Sequence, residues 1–412
     1  MTAVAEPEGV AAQHPVLLQA GFRPFFLLGT FYAAASLAVW LLIYAGVLLP
    51  WPGAWPVLYW HGHEMLFGFV ATAIAGFLLT AVPNWTETPP VAGRPLALLA
   101  GAWLLGRSAL WGALWLPAWS PPWLVAAADL LFLPALAVAV GRPILRAGKR
   151  HNYPVLGVLA LLSAANLLMH AALLGAAPFG LRLGLHASLY LVCVLLAIIA
   201  GRIVPLFTRN TLSRSGVAVE VESSVWVERA LVPVMGAAVI AVLLRPSSLA
   251  AGMACLACGA LLLLRQARWQ PHRTLGVPIL WVLHVGHAWL ACGFLGLGAN
   301  AFSPLLPTST AFHALSAGAI GTMIVGVMTR VALGHSGREI RATPLLVAAY
   351  ALVIAGGAIR VLGPLLFPDS YRATVLWAGS TWSAGYMLTA IACWPILTRP
   401  RVDTPALGDV PA

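Results

Sequence analysis

The chain has 412 residues, 61% of them hydrophobic and only 8% charged, whereas a soluble domain carries about 25% charged residues. That composition excludes a soluble enzyme and puts the bulk of the chain in lipid. The formal net charge is +11, and its distribution along the chain reports membrane orientation, with no nucleic acid expected as a partner.

A polar tail, Met1–Gly21, leads into an apolar run too long for the h-region of a signal peptide, so no cleavable signal is expected. Twelve segments then reach or approach the ~20 apolar residues that cross a hydrocarbon core. They are 26–49, 58–82, 95–115, 121–141, 153–175, 181–206, 229–245, 248–265, 276–298, 310–333, 343–367 and 372–396. The seventh and eighth are short, and the turn Arg245-Pro246-Ser247-Ser248 ties them into an inseparable hairpin. The longest polar stretch is 207–228, and no linker or soluble domain is visible. The expected fold is all-α, a polytopic membrane protein of about 12 transmembrane helices. One domain, 26–398, lies between a tail at 1–25 and a tail at 399–412, both cytoplasmic.

Orientation follows from the basic residues. With the N-terminus inside, the inner segments hold Arg23, Arg94, Arg142, Arg146, Lys149, Arg150, Arg209, Arg214, Arg229, Arg265, Arg268, Arg273, Arg338, Arg341, Arg399 and Arg401. The outer loops hold only Arg182, Arg245 and Arg372. Sixteen against three is a strong positive-inside bias. The five cysteines all fall inside predicted helices. Cys255 and Cys258 form a C-x-x-C with no βαβ pattern around it, so they read as small packing residues and not as a redox pair.

Orientation gives each histidine a depth. His61 and His63 open the second helix, His186 lies early in the sixth and His313 early in the tenth, and all three helices run from outside to inside. At 1.5 Å per residue these groups share a layer roughly 5–8 Å below the outer boundary. His170 ends the fifth helix at similar depth, and alone it reads as a hydrogen-bonded packing residue. His284 and His287 lie closer to mid-membrane in the ninth. Polar groups in lipid usually face the bundle interior and mark a site, so the layer reads as metal coordination.

Helical angles refine the set. His61 and His63 are about 200° apart and cannot easily serve one centre. His61 shares its expected face with Glu64, Gly68, Thr72 and Ala75, and His63 shares its own with Phe67, Val70 and Ile74. His284 and His287 share a face. Tyr190 stands one turn after His186, within hydrogen-bonding reach. Glu64 is read as the carboxylate of the histidine layer, a proton relay or a partner behind a ligand.

Inner helix ends form a second group. Arg202 lies sixteen residues beyond His186 and Arg330 seventeen beyond His313, about 25 Å along each helix. Each either snorkels to the inner interface or turns inward to pair with carboxylates such as haem propionates. Arg107 and Arg360 are less informative. His335, in "LGHSGR" past the tenth helix, is assigned to a separate inner-side site because one haem cannot use both it and His313. A faint repeat, H-x14-G, links His61–Gly76 to His186–Gly201 but not the tenth helix.

Four blocks carry a resemblance. "GFRPFFLLG" at 21–29, "WHGHEMLFGF" at 60–69, "GRIVPLFTRN" at 201–210 and "VMTRVALGHSGR" at 327–338 resemble, in order, the NnrS family. These are bacterial inner-membrane proteins of the nitric oxide response, described as polytopic and as containing haem and copper, with ties to denitrification and nitrosative stress. Histidines on the second, sixth and tenth of twelve helices are also similar in layout to haem–copper oxidase subunit I. The seventh helix lacks that group's adjacent histidine pair and the tenth its H-x-H ending, so its metal centre does not transfer residue by residue.

The resemblance implies an inner-membrane protein that binds nitric oxide and reduces or detoxifies it. Haem b is the expected cofactor, held without a covalent bond because no C-x-x-C-H motif is present, and copper is a further candidate. Ligands are expected from His61, His63, His186, His284, His287 and His313. Glu64 and Tyr190 are the candidate catalytic residues, and Arg202, Arg330 and His335 are candidate cofactor contacts. Joining two nitric oxide molecules needs two electrons and two protons, so a quinol or a cytochrome is the candidate electron donor. A transporter, and a sensor or haem-handling protein without turnover, remain as alternatives.

Overall fold

The computed structural model describes residues 14–51, 55–214, 221, 223–246, 248–303 and 307–402. A helix forms at each of the twelve expected spans. They are α1 Phe22–Tyr44, α2 Val57–Thr86, α3 Gly93–Trp115, α4 Pro122–Ala147, α5 Tyr153–Leu173, α6 Gly180–Arg214, α7 Val225–Leu244, α8 Leu249–Ala267, α9 Pro278–Asn300, α10 Thr308–His335, α11 Pro344–Leu366 and α12 Tyr371–Thr398. No strand occurs among the described residues. Eleven helices, α1 to α11, are long and apolar enough to cross a membrane. The last, α12, has the length, at 28 residues, but Ser380, Thr381, Ser383 and Thr389 dilute its apolar character. The chain is an all-α polytopic membrane protein.

Consecutive helices pair as hairpins, most extensively α11 with α12, α8 with α9 and α5 with α6, while α12 returns to pack on α1. Arg23 fastens that closure by donating to the carbonyls of Leu397 at 2.9 Å and Arg399 at 2.8 Å. The α7–α8 pair forms as expected, though with 20 and 19 residues its helices are longer than the sequence suggested. Ser247 of its turn, the first part of the N-terminal tail and most of the C-terminal tail lie outside the described residues.

Four helices depart from a simple rod, in three ways. Helix α6 runs on to Arg214, through part of the stretch read as polar connection, because Thr208 and Leu212 are buried there. Helix α4 is interrupted at Leu130–Leu131 between Pro122–Asp129 and Phe132–Ala147. Pro134 has no N–H to give the Leu130 carbonyl, so the hydrogen-bond ladder cannot continue there. The interruption leaves Asp129 buried at the end of the first half-helix.

Helices α2 and α10 share a third departure. Each widens into a π-helical segment, Glu64–Val70 in α2 and Ala314–Ile320 in α10. The segments begin directly after His63 and His313, and π-helical turns of this kind concentrate at functional sites. Within each, an indole N–H donates to a segment carbonyl: Trp103 to Gly68 at 3.0 Å and Trp382 to Ala317 at 3.2 Å. The two helices also share H-x4-G-x3-T-x3-G, as His63-Gly68-Thr72-Gly76 and His313-Gly318-Thr322-Gly326. This longer match starts at His63 and joins α2 to α10, beside the shorter H-x14-G match of α2 with α6.

Candidate functional site

Helices α2, α6 and α10 begin at the same end of the bundle, and between them lies a cavity of about 430 Å³. That is within the ~300–1,000 Å³ typical of small-molecule sites. His61, His186 and His313 all line it, among apolar neighbours that include Leu66, Phe69, Phe312 and Trp382. The shared depth expected for these three imidazoles thus brings them to one space. The ring of His61 stacks on Trp40 with centroids 4.3 Å apart.

Two of the rings are oriented by their own helices. Nδ1 of His186 donates to the Arg182 carbonyl at 2.7 Å, and Nδ1 of His313 donates to the Ser309 carbonyl at 2.6 Å. Fixing the proton on Nδ1 leaves Nε2 as the nitrogen available to a ligand, the usual arrangement behind a coordinating histidine. Arg182 and Arg360 line the same cavity. Arg360 donates through one terminal nitrogen to the Tyr371 hydroxyl at 3.2 Å, while its other, NH1, is buried with no partner among the described residues. An apolar space with oriented imidazoles and an unsatisfied guanidinium fits a flat apolar cofactor carrying carboxylates, as haem does.

The other face of α2 looks into a second, fully buried polar network. Nδ1 of His63 lies 3.0 Å from Glu64 Oε1, and its Nε2 lies 2.9 Å from Asn166 Oδ1 and 3.1 Å from Asp129 Oδ2. Asn166 Nδ2 donates to Asp129 Oδ2 at 2.8 Å, and His170 Nε2 approaches the same oxygen at 2.9 Å. Arg107 bridges the two carboxylates, bonding Glu64 Oε1 at 2.6 Å and pairing with Asp129 Oδ1. The Tyr32 hydroxyl donates to Glu64 Oε2 and accepts from Trp111 Nε1 at 2.7 Å. Gly68 makes this packing possible, since a Cβ there would fall 2.5 Å from the Tyr32 ring.

The division of His61 and His63 between two sites follows from their angular separation. Glu64 and Gly68 were expected beside His61 and instead face the network with His63. The π-helical widening that starts at Glu64 turns them there, and a uniform 3.6-residue period does not anticipate it.

Other sequence candidates lie apart from the cavity. Tyr190 does not bond His186, because that imidazole turns back to Arg182; its hydroxyl is buried without a partner among the described residues. His284 and His287 sit between α6, α8 and α9, where Thr208 lies 3.1 Å from His284 Nε2 and Gln266 Oε1 lies 2.8 Å from His287 Nδ1. Arg202 bonds Asn152 Oδ1 at 3.0 Å and the His151 carbonyl at 2.8 Å. Arg330 lies over the Phe207 ring, 4.0 Å from its centroid. His335 packs on Phe22 at 5.9 Å between centroids, at the opposite end of α10 from His313.

Sequence reasoning passed over Arg107, Asp129, Asn166, Arg182 and Arg360. One signal was present: Glu64 and Asp129 are the only carboxylates within the twelve expected spans, and charge inside a membrane is expensive enough to demand a role. In the sequence reading, histidines, two arginines and Glu64 receive a depth but Asp129 does not, and so it is not set beside His170.

A search of curated proteins finds no match. The family model described as NnrS protein matches residues 16–401, a range that contains every residue of the cavity and of the buried network. The chain belongs to the NnrS family.

Proposed function

We propose that this chain is a haem b protein of the bacterial inner membrane that binds nitric oxide and reduces it, with electrons from a quinol or a cytochrome. Membership of the NnrS family supports a role in the nitric oxide response. The observation that carries the finer reading is the convergence of His61, His186 and His313 on one apolar cavity, two of them with Nδ1 already committed to backbone carbonyls.

Each group has a task in this reading. His186 and His313 would hold the iron through Nε2, and His61, stacked on Trp40, faces the same space as a nearby base. Arg182 and Arg360 would bind the propionates, whereas Arg202 and Arg330 do not line the cavity. Haem held here would supply a one-electron couple and, where one of the two imidazoles lets go, a metal position for a diatomic gas. The apolar wall admits an uncharged gas that partitions into lipid and keeps bulk water out. Reduction joins two nitric oxide molecules as nitrous oxide and water, consuming two electrons from the donor and two protons.

The decisive experiment is an absorption spectrum of the purified chain. A Soret band that shifts on adding nitric oxide is expected. A preparation with neither haem nor spectral response removes the reading and leaves transport as the better one.

Orientation is part of the proposal, with both tails cytoplasmic and the cavity toward the outer face. A membrane-impermeant thiol reagent applied outside is expected to label Ser303→Cys and not Lys149→Cys. The reverse pattern would invert every depth given above.

A further inference from the structure

We propose that His63, Asp129 and His170 form a second site, separate from the cavity, that binds a transition-metal ion of borderline softness between α2, α4 and α5. One ligand atom from each residue lies within 4.8 Å of the others, and all three residues are buried. Both imidazoles direct Nε2 at the same carboxylate oxygen, Asp129 Oδ2, at 3.1 and 2.9 Å. Two imidazoles and a carboxylate suit zinc, copper or iron, whereas calcium and magnesium take oxygen ligands.

Hydrogen-bond accounting points the same way. Asn166 is held by its donation to Asp129 Oδ2, so its Oδ1 must face His63 Nε2. Nε2 therefore meets two oxygen acceptors, Asn166 Oδ1 and Asp129 Oδ2, while Nδ1 meets a third, Glu64 Oε1. A neutral imidazole has one N–H and cannot serve both sides. With the proton on Nδ1, donated to Glu64, Nε2 presents a lone pair toward oxygen lone pairs, an arrangement relieved by a metal ion between them or by a second proton on the ring.

The surroundings resemble the support of a metal site. Glu64 stands behind His63 in the carboxylate–histidine relation that fixes the ring and raises its basicity. Arg107 occupies Asp129 Oδ1 and leaves Oδ2 to Asn166 and the two imidazoles. The edge of Trp55 closes over both rings, 5.0 Å from His63 and 5.4 Å from His170. With both carboxylates ionised and both imidazoles neutral, Glu64 and Asp129 outnumber Arg107 by one charge, an imbalance that a bound cation offsets.

The test uses the purified full chain, stripped with a chelator, incubated separately with Cu2+ and Zn2+, desalted and analysed for metal. The wild type is expected to retain an ion that Asp129→Asn and His170→Gln lose, with affinity at least about tenfold weaker. Glu64→Gln is expected to weaken binding without abolishing it, and His284→Ala to leave it unchanged. Gel filtration establishes folding of each variant, so the outcome does not depend on haem. The Cu2+ form of the wild type should show electron-paramagnetic coupling to two imidazole nitrogens, which keeps the proposal testable if a variant fails to fold. A wild type that retains no ion means a protonated His63 alone holds the network, and the proposal falls. Retention that His284→Ala removes and His170→Gln does not would also overturn it, by moving the metal elsewhere.

Discussion

Alanine at His186 or His313 is expected to weaken haem retention at least about tenfold, the scale set by lost metal ligands and their supports. Alanine at His284 or His287 is expected to leave it intact. The contrast rests on geometry: the first two rings line the cavity with Nδ1 tied to the Arg182 and Ser309 carbonyls, and the second two are packed around Gln266 on another face of the bundle. His61→Ala should shift the spectrum more than it lowers haem content, because its ring is held by Trp40 and not by a carbonyl. The arginines divide similarly. Arg360→Lys keeps the charge but loses the planar fork whose NH1 is unsatisfied, and about tenfold weaker haem binding is expected, near 1.4 kcal/mol. Arg202→Lys and Arg330→Lys should bind haem normally. Wild-type spectra for both His186→Ala and His313→Ala would show that the cavity is not the haem site.

The cavity was partly legible because helical rise converts spacing into depth. His61, His186 and His313 could be placed in one layer from residue numbers and a charge bias alone. Their partners could not, since Arg360 enters from α11 and Trp40 from α1, and no periodicity within α2, α6 or α10 reports which helices lie beside them. Glu64 was assigned to the wrong face for a different reason. Its position depends on a π-helical segment stabilised by tertiary contacts such as the Trp103–Gly68 hydrogen bond, and a uniform helical wheel has no means of registering that. The buried network was hidden by reading residues singly. His170, alone, looks like a packing histidine; beside Asp129 and Asn166 it belongs to an ionic cluster that spans four helices, α2 to α5.

That cluster should dominate the stability of the α1–α5 half of the molecule. Arg107→Met removes the guanidinium that bridges Glu64 and Asp129 and leaves two buried carboxylates facing each other across His63. Breaking a buried ion set by removing one partner typically costs about 3–5 kcal/mol, because the remaining charges stay desolvated. A large fall in the thermal midpoint of the detergent-solubilised, chelator-stripped protein is therefore expected. Combining Arg107→Met with Glu64→Gln and Asp129→Asn removes the charges together, and neutral replacements of a buried ion set are often tolerated. The triple variant should recover most of the loss, a strong departure from additivity for residues in one network. Such recovery would mean that the ions are not retained for stability, since the fold stands without them, and it would leave chemistry as the reason to keep two acids and a base in lipid. If Arg107→Met instead unfolds within about 1 kcal/mol of the wild type, on the scale of exposed ion pairs, then water reaches the network and its burial as described here is wrong.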